Sequence, residues 1–173
     1  MHPALITRGA IVILVASWAL GAQEAPTFAR FLAKAKKEGY AADDPKRVRK
    51  VADGGEEAGF SEGDFIYRDR WYGESPFSGQ EVVWHKGKTI WSLNFWGQTL
   101  ANAPAEFPHF HKRALRQVGE DLPLRGPSCF REGEFIYVNE VQGTLQSFTG
   151  VERIYHQNRE IYHLVYHGGA IGQ

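Results

Sequence analysis

Residues 62–67 read EGDFIY, and residues 132–137 read EGEFIY. The match continues downstream, where FSGQE at residues 77–81 corresponds to FTGVE at residues 148–152. Self-similarity at a fixed offset is the signature of an internally repeated architecture. The sequence therefore predicts a single domain over residues 23–173 that is made of two repeats, 26–100 and 101–173.

Each repeat is predicted to contain three strands and one preceding helix. In the first, residues 64–72, 77–85 and 88–96 are rich in aromatic and β-branched residues, as strands prefer. Lys86-Gly87 sits where a two-residue turn belongs. The predicted fold class is α+β, a duplicated αβββ unit, with two three-stranded antiparallel meanders and one helix per copy. Residues 40–61 are expected to form the longest loop.

The predicted helices are amphipathic. Phe28, Phe31, Leu32 and Ala35 form one apolar stripe, with Thr27 as the expected N-cap and Gly39 as the expected stop. A similar stripe follows in the second copy, made of Phe107, Phe110, Ala114, Leu115 and Val118.

The N-terminus is typical of a secretory signal peptide. Arg8 precedes an apolar run at residues 10–20, and small residues follow at Gly21-Ala22. The run is shorter than the roughly 20 apolar residues that a spanning helix needs. We therefore expect residues 1–22 to be removed, the product to be periplasmic or secreted, and no stable membrane span to remain.

Composition narrows the classes of partner. Lysine plus arginine and aspartate plus glutamate each number 20, so the sequence lacks the basic excess typical of nucleic-acid binding. The one cysteine, Cys129, can form no disulfide within the chain. No phosphate-binding glycine loop and no hydrolase nucleophile motif is present in the sequence, and we expect no cofactor.

Three segments carry a family resemblance: residues 62–69, residues 77–84 and the ending Tyr-His-Gly-Gly at residues 166–169. Together they resemble an uncharacterised bacterial family of domains of unknown function, sometimes found behind a helix-turn-helix in proteins labelled transcriptional regulators. The resemblance covers most of residues 28–171 and implies no activity or catalytic residue. A regulatory role on DNA is not expected, because this chain carries an export signal and no DNA-binding segment.

Strand register predicts which side chains share a face. With Lys86-Gly87 as a turn, Val83 should face Ile90 and Glu81 should face Ser92. In the second copy, Glu152 should face His163, with Trp96 and His167 farther along the same face of their copies. A carboxylate in such a largely apolar setting must be paired or must shift its pKa.

Candidate ligand-binding residues follow from that face and from matched polar strand positions: Glu81, Glu152, His163, Tyr67, Tyr137, Trp96 and His167. One interpretation places the two glutamates in a pocket between the copies, and the other gives them a purely structural role. Glu152, His163 and His167 could also bind a metal ion, although we expect no metal site.

The sequence favours a non-enzymatic module that binds a small molecule or peptide. One alternative is a hydrolase in which the paired glutamates act as acid and base, which requires carboxylates roughly 5–10 Å apart in an open cleft. Another is an envelope protein–protein interaction module, which requires an exposed apolar patch.

Overall fold

The computed structural model describes residues 27–42, 44–100 and 102–172, so the predicted signal peptide lies outside the described residues. Two α-helices and nine strands are present within these ranges. The helices are α1 (Phe28–Glu38) and α2 (Phe107–Leu115). The strands are β1 (Val48–Lys50), β2 (Glu56–Glu62), β3 (Phe65–Tyr72), β4 (Phe77–His85), β5 (Lys88–Thr99), β6 (Cys129–Glu132), β7 (Phe135–Thr144), β8 (Ser147–His156) and β9 (Arg159–Ala170).

All nine strands form one antiparallel sheet in the order β1-β2-β3-β4-β5-β9-β8-β7-β6. The predicted duplicated αβββ unit with two separate three-stranded meanders is therefore wrong. β5 and β9 pair directly, from Trp91 opposite Ala170 to Thr99 opposite Tyr162. Two separate meanders would leave unpaired N–H and C=O groups along these strands, and this pairing satisfies them. The fold is mainly β.

The segment expected to be the longest loop is also different. Residues 40–61 contain two short 3-10 turns, strand β1 and most of β2. The repeated motif is the turn between two strands, because Glu62 pairs with Phe65 and Glu132 pairs with Phe135. Gly63 has a φ of +58°, which glycine adopts without strain at a tight hairpin turn. β2 contains three glutamates and one glycine in seven residues, and both residue types are depleted in strands, so propensity arguments missed this strand.

Both helices cover one face of the sheet, which we call the inner face. The Thr27 hydroxyl accepts a hydrogen bond from the Arg30 N–H at 3.3 Å, and Gly39 ends α1, which confirms the predicted caps. The apolar stripes of both helices are buried against inner-face side chains, among them Phe65 and Leu164. The opposite, outer face exposes Trp96, Val165 and Ile66.

Two β-bulges change the predicted pairing. In β4–β5, Trp84 pairs with Thr89 but Val83 pairs with Trp91, so Ile90 is an extra residue in its strand. The same shift occurs in β8–β9, between Ile154 and Tyr155. Because side chains alternate, one inserted residue moves every later side chain to the other face. The predicted partners of Glu81 and Glu152 were therefore wrong, and their actual cross-strand partners are Leu93 and Leu164.

Gly150 allows an aromatic ring to lie directly on its strand. A Cβ added there would lie 2.1 Å from Cζ of Tyr166. We expect Gly150→Ala to lower the free energy of unfolding by about 1–3 kcal/mol, because the ring must leave its position. Urea unfolding measures this change. Gly119→Ala is the control, since nothing lies within 4 Å of that position, and it should be neutral or slightly stabilising. Equal effects at the two glycines would contradict this packing.

None of the helices in the described part of the chain combines the length and apolar character that crossing a membrane requires.

Candidate functional site

Two glutamates from different halves of the sheet share one arginine in the interior. Glu81 of β4 and Glu152 of β8 are 1% and 0% exposed. Arg125, from the segment between α2 and β6, donates from Nε to Oε2 of Glu152 at 2.7 Å. Its Nη1 lies 3.7 Å from Oε1 of Glu81. Arg125 therefore joins the two halves of the sheet by buried ion pairs.

Glu152 is held as an anion by several donors. His111 of α2 approaches its Oε1 at 2.7 Å, and the Tyr137 hydroxyl donates to its Oε2 at 3.0 Å. Burial alone raises the pKa of this carboxyl, but Arg125 and His111 outweigh burial and hold the pKa well below its usual range. This environment leaves Glu152 no proton to donate near neutral pH.

Glu81 has a different cation, Lys36 of α1, whose Nζ forms a buried ion pair with Oε2 of Glu81. Burial lowers the pKa of Lys36, and Glu81 opposes that shift. Tyr67 lies with this pair around a small cavity of about 20 Å³, which Asp69 and Arg125 also line. Each glutamate therefore has its own helix-borne partner as well as the shared arginine.

Asp69 is the carboxylate that remains without a cation in direct contact. It lies directly opposite Glu81 in the β3–β4 pair and is 6% exposed. Its Oδ1 has no hydrogen-bond partner among the described residues. Burial and the charge of Glu81 raise the pKa of Asp69 to about 7, against the opposing charges of Arg125 and Lys36.

Asn139 occupies the position beside Glu152 that corresponds to that of Asp69 beside Glu81, and its side chain is fully hydrogen-bonded. It lies opposite Glu152 in the β7–β8 pair. Its amide donates to the Gly126 carbonyl at 3.2 Å and accepts from the Tyr166 hydroxyl at 2.8 Å. Buried polar side chains are normally bonded in this way, so the unpaired oxygen of Asp69 requires an explanation.

An aromatic cleft lies between α2 and the inner face and leads to Asp69. Its volume is about 430 Å³, which is within the usual range for small-molecule sites. Polar lining residues include Asp69, His111 and Arg125, together with the charged Glu56, Glu74 and Lys112. The aromatic lining residues are Tyr40, Trp71, Phe77, Phe95, Phe107 and Tyr162.

Tyr162 supplies a second unpaired polar group at the same cleft. The residue is 2% exposed, and its hydroxyl has no hydrogen-bond partner in the described ranges. Burial, and then the charge of Glu152, raise the pKa of this hydroxyl well above its usual value, so it remains protonated and can donate. The third such atom within those ranges is Nε of Arg68, whose guanidinium lies 5.0 Å from the centre of the Trp84 ring.

The structure brings four of the seven candidate residues together: Glu81, Glu152, Tyr67 and Tyr137. It places the other three on the outer face. Trp96 is 42% exposed, His167 is exposed, and Nδ1 of His163 lies 3.1 Å from Oε1 of Glu160. The bulges cause this separation, so the expectation that Trp96, His163 and His167 share a face with the two glutamates is wrong.

The same separation means that the three suggested metal ligands, Glu152, His163 and His167, do not lie together. Glu152 faces inward, whereas His163 and His167 alternate with inward residues of β9 and face outward. Within the described residues, no group of three or more metal-ligating side chains is placed to hold an ion.

Sequence reasoning missed Lys36 and Arg125 and did not assign Asp69, His111 or Tyr162 to the site. Lys36 follows Leu32 by four residues, and His111 follows Phe107 by four, so both lie on buried helix stripes. A cation on an otherwise apolar stripe was therefore an available signal. Arg125 lies in an irregular segment, where no periodicity could have identified it.

Fold and site together define a mainly-β domain with a single antiparallel sheet, two helices on one face and an aromatic cleft above buried ion pairs. The chain belongs to the family described as domain of unknown function DUF5680, whose sequence model matches residues 69–171. The matched range includes Asp69, Glu81, Arg125, Glu152 and Tyr162, but not Lys36. Searches of curated proteins and of solved structures each found no match.

Proposed function

We propose that this protein is a non-enzymatic module that binds a small organic molecule in the cleft between α2 and the sheet. The observation that carries the proposal is the pair of buried, unpaired polar atoms, Oδ1 of Asp69 and the hydroxyl of Tyr162, in residues that line one cleft. Leaving such groups without partners costs about 1–3 kcal/mol each, a cost that a bound ligand would offset.

The shape of the cleft supports a small molecule as the ligand. A volume of about 430 Å³ suits a compact organic compound rather than an extended peptide. Trp71, Phe95 and Phe107 supply apolar walls, while Asp69 offers an acceptor and Tyr162 offers a donor. Mostly apolar walls with a few placed polar groups are the usual form of a specific binding pocket.

The buried ion pairs support this site by holding it rigid. Arg125 contacts Glu81 and Glu152, Lys36 ties α1 to Glu81, and His111 ties α2 to Glu152. The walls of the cleft are therefore linked through charged contacts in a low-dielectric interior. Such support keeps the cleft open at little entropic cost when a ligand binds.

The hydrolase alternative gains no support from this arrangement. Glu81 and Glu152 are buried and engaged by cations, and neither lines the large cleft. The interaction alternative is favoured by one observation, the exposed cross-strand pair of Trp96 and Val165 on the outer face. The signal-peptide prediction leads us to propose that binding takes place in the periplasm or outside the cell. Export of this chain stays a prediction.

Native mass spectrometry of the purified protein tests the proposed function. We expect a bound mass that is absent from the denatured protein, and the denatured mass also reports whether residues 1–22 have been removed. Tyr162→Phe should lower the bound fraction at least tenfold without loss of stability, because the hydroxyl has no partner in the described residues.

The matched control for this experiment is Tyr72→Phe. The Tyr72 hydroxyl lies on the outer face, where it donates to Asp53 at 2.8 Å. This variant should keep the bound mass of the wild-type protein. A bound mass that survives Tyr162→Phe but is lost in Tyr72→Phe would contradict the placement of the site.

A further inference from the structure

We propose that the cleft selects an organic cation, a protonated amine on an apolar body, with the ammonium group donating to Asp69. This inference rests on the proposed function and adds the chemical class of the ligand. Three observations carry it: the carboxylate of the buried cluster that no cation contacts, the charges along the cleft, and the aromatic walls.

The buried cluster on the inner face leaves one carboxylate, that of Asp69, without a cation in direct contact. Asp69, Glu81 and Glu152 lie with Lys36, Arg125 and His111, and the histidine contacts Glu152. Glu81 is paired with Lys36, and Glu152 with Arg125, so Asp69 is the carboxylate that remains. A buried carboxylate without a partner is costly, and a ligand N–H⁺ would supply both the charge and the hydrogen bond that are missing.

The lining of the cleft carries more carboxylates than permanent cations. Glu56, Asp69 and Glu74 contribute carboxylates, whereas the Lys112 ammonium lies over the Tyr40 ring and Arg125 is engaged by Glu152 and Glu81. Glu56 also accepts a hydrogen bond from Nε1 of Trp71 at 3.2 Å, which holds one carboxylate beside an aromatic wall. An anionic ligand that reaches the inner end of the cleft would have to approach Asp69, which no cation contacts directly, so selectivity should favour amines over acids.

The walls of the cleft suit a cation as well as an apolar body. Trp71 and Tyr40 lie edge to face with ring centres 5.4 Å apart, and both line the cleft. The Lys112 ammonium already lies 5.2 Å from the centre of the Tyr40 ring, which shows that this wall accommodates a cation. The faces of such rings attract ammonium groups, most strongly where water is excluded. A carboxylate at the end of an aromatic cleft is therefore complementary to an amine on an aromatic or aliphatic body.

Three matched probes test the ligand class: phenethylamine, 3-phenylpropionate and 3-phenyl-1-propanol, titrated by NMR at pH 8. At that pH Asp69, with a pKa of about 7, is mostly ionised, and a primary amine with a pKa of about 10 is still protonated. We expect the amine to bind at least tenfold more tightly than the acid. Asp69→Asn should weaken amine binding at least tenfold and change the affinity for the alcohol by less than twofold.

The control variant is Glu140→Gln, which neutralises a carboxylate that pairs with Arg153 at the surface, and it should leave all three affinities unchanged. Amine binding no tighter than alcohol binding, with both dependent on Tyr162, would overturn the inferred ligand class and leave the proposed function standing. Failure of all three probes to bind at millimolar concentration would overturn both. Amine affinity unaffected by Asp69→Asn would overturn the role of Asp69.

Discussion

Replacing Arg125 with methionine should lower the free energy of unfolding by about 3–5 kcal/mol, the usual effect of removing one partner from a buried ion pair. Arg125 is 8% exposed and donates to Glu152 at 2.7 Å while it faces Glu81. Methionine fills similar space, but it leaves the buried negative charges of Glu81 and Glu152 without the positive charge of the guanidinium. Urea unfolding at pH 7, followed by circular dichroism, measures the loss.

The loss of stability caused by Arg125→Met should become smaller as the pH falls. In the wild-type protein the pKa of Glu152 is lowered, so its contribution to stability is present above the unfolded pKa near 4.5 and is lost on acidification. Without Arg125, only His111 remains as a cation that opposes the effect of burial, so Glu152 accepts a proton more readily. Arg153→Met is the control, because its pair with Glu140 is largely exposed and should contribute less than about 1 kcal/mol. Similar losses in the two variants would contradict a central role for Arg125.

Asp69→Asn should make the protein more stable by about 2 kcal/mol at pH 8, while the same change weakens amine binding. Asp69 is buried opposite Glu81, and its ionisation places a second negative charge beside the first. Asparagine keeps the shape and removes that charge. A substitution that raises stability and lowers binding is the signature of a group retained for function.

The sign of the pH dependence follows from the raised pKa of Asp69. Its pKa is about 7 in the folded protein, against 3.8 for the unperturbed group. Between these values the folded protein keeps a proton that the unfolded chain has lost, so this group makes stability fall as pH rises. The advantage of Asp69→Asn should therefore be near zero below about pH 4 and largest above about pH 7. The charges that face Asp69 are those of Lys36, Arg125 and Glu81. An equal gain in stability from Asp69→Asn at pH 4 and at pH 8 would contradict the raised pKa of Asp69.

Local patterns predicted the strands well and the sheet poorly. The predicted strands 64–72, 77–85 and 88–96 correspond closely to β3, β4 and β5. The bulges at Ile90 and Ile161 could not be detected in the hydrophobic pattern, because both positions carry an apolar residue that fits either face of the sheet. The pairing of β5 with β9 is a long-range contact that turn lengths cannot determine.

The candidate site was predicted in part for a similar reason. Glu81 and Glu152 stood out because they occupy matching positions in the two repeated segments, and the structure brings them together around Arg125. His163, Trp96 and His167 were grouped with them only through the incorrect register. The unpaired oxygen of Asp69 is a property of packing, which no sequence pattern shows.

The most direct test of the central claim is a high-resolution crystal structure of the protein purified from the cells that produce it. We expect continuous non-protein density in the cleft, with one atom within hydrogen-bond distance of Oδ1 of Asp69 and another within hydrogen-bond distance of the Tyr162 hydroxyl. A cleft that contains only ordered waters, with those waters bonded to both groups, would contradict the central claim.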